Sequence, residues 1–153
     1  MRKIAVFPGS FDPITVGHLD IVQRAVPLFD EIVIAVGENS SKKYMFSLEE
    51  RQKHIAKAFE NYKSVRQTNY SGLTVDFCKS IGAKYILRGM RSEHDFEFER
   101  SIALMNKAMQ DELETVFLVS AAKYTAVSST IVRDILRNGG DASQFVPNGI
   151  LDE

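Results

Sequence analysis

The chain has 153 residues, 44% hydrophobic and 25% charged, the profile of one globular domain with a substantial core, expected to span residues 1–153. A formal net charge of −1 argues against a protein that works by coating nucleic acid, and no apolar run is long enough to cross a bilayer. The single cysteine, Cys78, permits neither an intrachain disulfide nor a cysteine metal cluster, so a cytoplasmic protein with no nucleic-acid or membrane partner is expected.

In chain order, Ile4-Ala-Val-Phe7 predicts a buried strand over residues 3–7. It opens into Phe7-Pro-Gly-Ser-Phe-Asp-Pro-Ile-Thr-Val-Gly-His18, a loop rich in Gly, Pro and hydroxyls. A helix from about Gly17 to Ala25 follows, with Leu19, Val22 and Ala25 in one stripe and Asp20 and Arg24 one turn apart; Pro27 ends it. Residues 31–36 do not alternate and predict a second, fully buried strand. A polar loop with Lys42 and Lys43 leads to Ser47-Leu-Glu-Glu50, a capping-box signature, and to a helix burying Leu48, Ile55 and Phe59. Residues 64–68 make a weak third strand, and Ser71 is placed to cap a helix whose inner face is Leu73, Phe77 and Ile81, closed by Gly82. Tyr85-Ile-Leu87 predicts a fourth strand running into an Arg88-Gly-Met-Arg91 loop. A long helix from about Asp95 to Gln110 carries Phe98, Ile102, Met105 and Met109 at helical spacing. Val116-Phe-Leu-Val119 is the fifth strand, and Ser128 is a natural cap for a helix carrying Ile131 and Ile135; the tail from Gly139 is turn-rich.

Five strands alternating with five helices predict an α/β fold, a doubly wound parallel five-stranded sheet. Right-handed crossovers then put every strand's carboxyl end on one edge. The loops holding Ser10, Lys42, Arg88 and Ser128 all leave that edge and should converge on one cleft, where open α/β sheets bind ligands.

The converging groups are the Thr15-Val-Gly-His18 turn, the lysines, Arg88, Arg91 and the hydroxyls of Ser10, Ser128, Ser129 and Thr130. They describe a site for a polyanion, cationic and rich in donors. No nucleophile–base pair, carboxylate pair or Cys/His ligand cluster stands out, and no residue is expected to ligate a metal. The G-x-x-x-x-G-K-[ST] and G-x-G-x-x-G fingerprints are missing. Phosphoryl or nucleotidyl transfer fits: an attacking phosphate is already an anion and needs no base, so positioning and charge stabilisation suffice. One close opposite charge supplies about 4 kcal/mol of Coulomb energy at an effective dielectric near 20.

With P-G-S-F-D-P-I-T-V-G-H at 8–18, S-K-K-Y-M-F at 41–46, L-E-E-R at 48–51, I-L-R-G-M-R at 86–91, D-F-E-F-E at 95–99 and V-S-S-T-I-V-R at 127–133, the chain resembles the phosphopantetheine adenylyltransferases, a family of the nucleotidyltransferase superfamily marked by a [HT]-x-G-H turn. The resemblance implies a Rossmann-like nucleotidyltransferase fold and the reaction of ATP with 4′-phosphopantetheine, giving dephospho-coenzyme A and pyrophosphate, with Mg²⁺ held mainly on the ATP phosphates. It implies that His18, Ser10, Lys42 and Arg91 form the catalytic set, with His18 stabilising the pentacovalent α-phosphate and Ser10 touching both substrates. Lys42, Thr74 and Arg88 would bind phosphopantetheine. Phe11, His18, Gly89, Met90, Arg91, Glu99 and the run Tyr124, Thr125, Ala126, Val127, Ser128, Ser129, Thr130 would bind ATP. It also implies a homohexamer and makes coenzyme A a candidate feedback ligand. The tail after Phe145-Val-Pro147 is short, where relatives often continue into a further helix.

Taken singly, the same residues have plainer readings. His18 is a helix-start residue, Ser10 a turn residue, Ser128 a cap and Glu99 a solvated helix residue; Lys43 is read as solvated. His54 and His94 are read as structural or exposed, and Cys78 and the methionines of the long helix as packing residues. Two rivals stay open: a superfamily adenylyl- or cytidylyltransferase with a different acceptor, and a non-catalytic nucleotide-binding module.

Overall fold

The structure is a computed structural model and describes residues 1–152. Strands β1 (Ile4–Gly9), β2 (Glu31–Gly37), β3 (Val65–Tyr70), β4 (Tyr85–Met90) and β5 (Glu114–Val119) pair in parallel in the order β3-β2-β1-β4-β5. Helices α1 (Val16–Ala25), α2 (Leu48–Ala58), α3 (Thr74–Ser80), α4 (Glu93–Met109) and α5 (Ser129–Arg137) fill the connections. This is the predicted α/β fold. The strand order reverses between β1 and β4, so the topological switch point, and the crevice it opens, lies between them.

The unalternating runs of β1 and β2 are explained by two cores. Ala5, Phe7, Ile32 and Ile34 join one cluster with α1, α2 and α5, while Val6, Val33 and Ala35 join a second with Val75 and Cys78 of α3. Adjacent residues of one strand point to opposite faces, and both faces are covered. The turn-rich tail docks on the first cluster, burying Ala142, Val146 and Ile150, and Lys57 Nζ donates to the Gly149 carbonyl at 2.9 Å. Cys78 is fully buried, and desolvation pushes its thiol up to about 11.

Four local expectations change. Of the Arg88-Gly-Met-Arg91 stretch only Arg91 is outside the sheet: β4 continues to Met90, because its ladder with β5 runs from Tyr85↔Glu114 to Met90↔Val119. Ser71 caps nothing, since Gly72 turns the chain at φ +82° and α3 begins only at Thr74, without a side-chain cap. Leu73, expected on an inner face, is exposed. The apolar stripe of α4 is not packed either: Phe98, Met105 and Met109 are 68%, 63% and 51% exposed, because no other element among the described residues covers that face. The other cap signals hold. Ser47 and Glu50 close a capping box, Ser128 accepts from the Ile131 N–H at 3.2 Å, and Arg24 pairs with Asp20 at 2.9 Å.

Candidate active site

After Gly9 the chain crosses the sheet edge and turns into α1. Thr15, 2% exposed, is the helix N-cap. Its hydroxyl accepts from the His18 N–H at 3.4 Å, and its own N–H donates to His18 Nδ1 at 3.0 Å. This is a capping box with histidine in the position usually held by Glu or Gln. It has a chemical consequence. With Nδ1 committed as an acceptor, the neutral imidazole carries its proton on Nε2.

The ring is half-buried and lies edge-on to Phe11 and Phe7, with centroids 5.0 and 6.0 Å away. Phe11 adopts φ +50°, the one positive φ among the described non-glycine residues. Such a conformation costs on the order of 1 kcal/mol or more and persists where surroundings enforce it. Desolvation, then the charges of Arg88 and Arg91, lower the His18 pKa from 6.5 to about 4. His18 is therefore a neutral N–H donor at physiological pH.

The cations come from the other loops. Lys42 Nζ donates to Ser10 Oγ at 3.2 Å, bridging the turn after β1 and the loop after β2. Arg88 sends Nε and Nη2 to Glu99, at 2.5 and 3.3 Å, and Nη1 to the Pro8 carbonyl at 2.8 Å. Arg91 pairs with Asp95 at 3.3 Å. Ser129 Oγ donates to the Pro13 carbonyl at 2.7 Å, which ties the start of α5 to the same turn. Gly89 lies where β4 passes close to α1: a Cβ there would come within 3.1 Å of Ile21 Cγ1.

Two cavities of about 530 Å³ each open at the switch point and share Pro8, Gly9, Ser10, Lys42, Arg88 and Glu99. One holds His18, Phe11, Gly89, Arg91, Tyr124 and Val127–Thr130. The other extends toward Thr74, Tyr70, Tyr44 and Asn106. Three expected nucleotide-side residues do not line the first cavity. Met90 is 8% exposed and packs inward, and Thr125 and Ala126 lie in the connection just beyond. Sequence reading named Thr15 only as the start of the turn, with no role of its own, and gave Arg133 none; both are on the His18 cavity wall. The T-x-x-H spacing was the available signal for Thr15. Arg133 closes the quoted V-S-S-T-I-V-R block, and its Nη1 donates to the Asp12 carbonyl at 2.8 Å. His94, read as structural or exposed, is exposed and also lines this wall. Among the described residues, no three His, Cys, Asp or Glu side chains are grouped to hold a metal ion, and no helix is long and apolar enough to cross a membrane.

A parallel sheet with a cationic, donor-rich crevice at its switch point and a T-x-G-H turn at a helix N-terminus defines a nucleotidyltransferase of the Rossmann-like type. Residues 6–135 match the cytidylyltransferase-like family model. The fold is similar to that of a bifunctional NMN adenylyltransferase/ADP ribose pyrophosphatase from Francisella tularensis, at TM-score 0.74 and 18% identity over 97% of this chain and 46% of that one. Within the class, the chain is 55% identical over 150 residues, 98% of both chains, to the phosphopantetheine adenylyltransferase of Flavobacterium psychrophilum, and 54% identical to that of Flavobacterium johnsoniae over 98% of this chain and 97% of that one. A third, from Leptospira biflexa, is 50% identical over 97% of this chain and 92% of its own length. The chain belongs to the phosphopantetheine adenylyltransferase family.

Proposed function

We propose that the protein transfers the adenylyl group of ATP to 4′-phosphopantetheine, forming dephospho-coenzyme A and pyrophosphate. The observation that carries this reading is the pair of cavities meeting at Ser10, Lys42 and Arg88. Two anionic substrates laid end to end would bring their phosphates together at that junction, beside the neutral imidazole.

In this reading ATP occupies the His18 side, against Phe11, the backbone of Gly89–Arg91, Glu99 and the Tyr124–Thr130 segment. The acceptor lies toward Thr74, its phosphate held by Lys42 and Arg88. An oxygen of that phosphate attacks the α-phosphorus, the bond to pyrophosphate breaks, and no proton has to move first. Charge grows on the equatorial α-phosphate oxygens. His18 donates its Nε2–H there, Arg91 adds positive charge, and Ser10 contacts both substrates. Asp95 and Glu99, the carboxylates on the wall, are engaged by Arg91 and Arg88, so the wall offers no carboxylate cage. Mg²⁺ would then be carried on the nucleotide's phosphates, where it would neutralise charge. Coenzyme A contains both the pantetheine arm and an adenylate, which makes it the candidate feedback ligand of the joined cavities. A cytoplasmic location, expected from the single cysteine, belongs to the same reading.

Incubation with ATP and 4′-phosphopantetheine should yield dephospho-coenzyme A and pyrophosphate in equal amounts. Pyrophosphate release only with some other acceptor would refute the acceptor assignment, and ATP binding without turnover would refute catalysis. For the expected homohexamer, the exposed Phe98, Met105 and Met109 face of α4 supports a contact with a second copy. Light scattering should give a hexamer for the protein and smaller species for Met105→Lys; a wild-type monomer would overturn this.

A further inference from the structure

Two buried charged side chains are unused by the reaction as described. Asp12 and Arg51 are each 3% exposed, and neither lines either of the two cavities described above. They sit in the F-D-P and L-E-E-R blocks of the sequence. The Asp12 carboxylate accepts from the Met45 N–H at 2.9 Å through Oδ2 and from the Phe46 N–H at 2.9 Å through Oδ1. Arg51 answers from the other side. Its Nε donates to the Phe46 carbonyl at 3.1 Å and its Nη1 to the Ser10 carbonyl at 2.9 Å, with the guanidinium 3.9 Å from the Tyr44 ring centroid.

Two of these four bonds link the turn after β1 to Met45 and Phe46 through Asp12, and Arg51 joins the same two segments from α2. The contact they frame is Lys42 Nζ to Ser10 Oγ. Buried charges are expensive unless fully bonded, and an apolar contact would join two loops without that expense. What a carboxylate adds is register: its two oxygens hold two successive N–H groups, those of Met45 and Phe46, in charge-assisted bonds of defined geometry.

We propose that Asp12, backed by Arg51, is a positioning residue that sets Lys42 against Ser10 and so presents the ammonium to the acceptor's phosphate. This rests on the reading of Lys42 as an acceptor ligand. On the nucleotide side, the side chain that meets Asp12 is Arg133, which bonds its backbone carbonyl and stands 3.9 Å from Oδ2.

Steady-state kinetics on a double-mutant cycle tests the idea. Asp12→Asn turns one acceptor oxygen into a donor and breaks one of the two loop bonds. It should raise KM for 4′-phosphopantetheine roughly tenfold, the scale of one charge-assisted hydrogen bond, and KM for ATP less than about threefold. On a Lys42→Ala background the same change should add less than about twofold, since Asp12 acts through Lys42. A full tenfold addition, or equal losses for both substrates, overturns the proposal. An unchanged acceptor KM in Lys42→Ala itself overturns the reading beneath it and the proposal with it. If Asp12→Asn does not fold, a glycine inserted between Lys43 and Tyr44 decides. Both charged residues stay in place, Lys42 moves off register, and the same acceptor-selective rise is expected; a wild-type KM overturns the proposal.

Discussion

Replacing His18 by alanine should lower kcat at least ~10²-fold, the scale of losing one donor aimed at transition-state charge, while the fold survives. The ring's body packs on Phe7 and Phe11 but is only half-buried, so its removal opens no deep cavity. The capping box loses one of its two bonds, a stability change of about 1 kcal/mol. Single-turnover measurement separates the two effects: the chemical step slows while ATP binding changes little. Turnover near wild type would refute the role. The pH dependence follows from the same ring. Its pKa falls from 6.5 in the unfolded chain to about 4 in the fold. As pH drops below 6.5, the unfolded chain takes up this proton and the native state does not, so native stability declines until pH reaches about 4. The donor form of His18 persists over that whole interval. An acid limb of kcat near 6.5 that disappears in His18→Ala would contradict the lowered value.

Lys42→Ala should raise KM for 4′-phosphopantetheine by ~10- to 10²-fold, the range for a hydrogen bond to a charged group, and leave KM for ATP within about threefold. The ammonium stands at the junction of the cavities, bonded to Ser10 Oγ at 3.2 Å. Arg91, Arg133 and the first turn of α5 remain to hold the nucleotide. Initial rates against each substrate in turn give the two constants, and parallel losses would remove the assignment of Lys42 to the acceptor side.

Much of this architecture was legible because its signals are local. Apolar runs of four to six residues marked β1, β2 and β5. Ser47 with Glu50, and Ser128, announced the starts of α2 and α5 through side chains that bond their own helix. Where a local rule misled, a distant partner had overruled it. The Arg88–Met90 stretch has the composition of a loop but lies beside β5, whose Phe117–Val119 offers it hydrogen bonds. Ser71 has the chemistry of a cap, but the glycine after it takes the chain elsewhere. The α4 stripe has the period of a packed helix and finds no partner among the described residues.

The sequence by itself determined the alternation of strands and helices, most of the caps and the blocks that carry cations and hydroxyls, since hydrophobic period and capping act within a few residues. Only the tertiary structure decided which of those groups meet. Strand order placed the switch point between β1 and β4 and so brought residues from opposite ends of the chain to one crevice. The same assembly settled the proton on His18 Nε2, by pairing Nδ1 with Thr15 and surrounding the ring with Phe7, Phe11 and two arginines. It also buried Asp12 and Arg51 as the link between two loops. Burial, tautomer and cross-loop register depend on what lies across a cleft, and no short-range pattern along the chain encodes that.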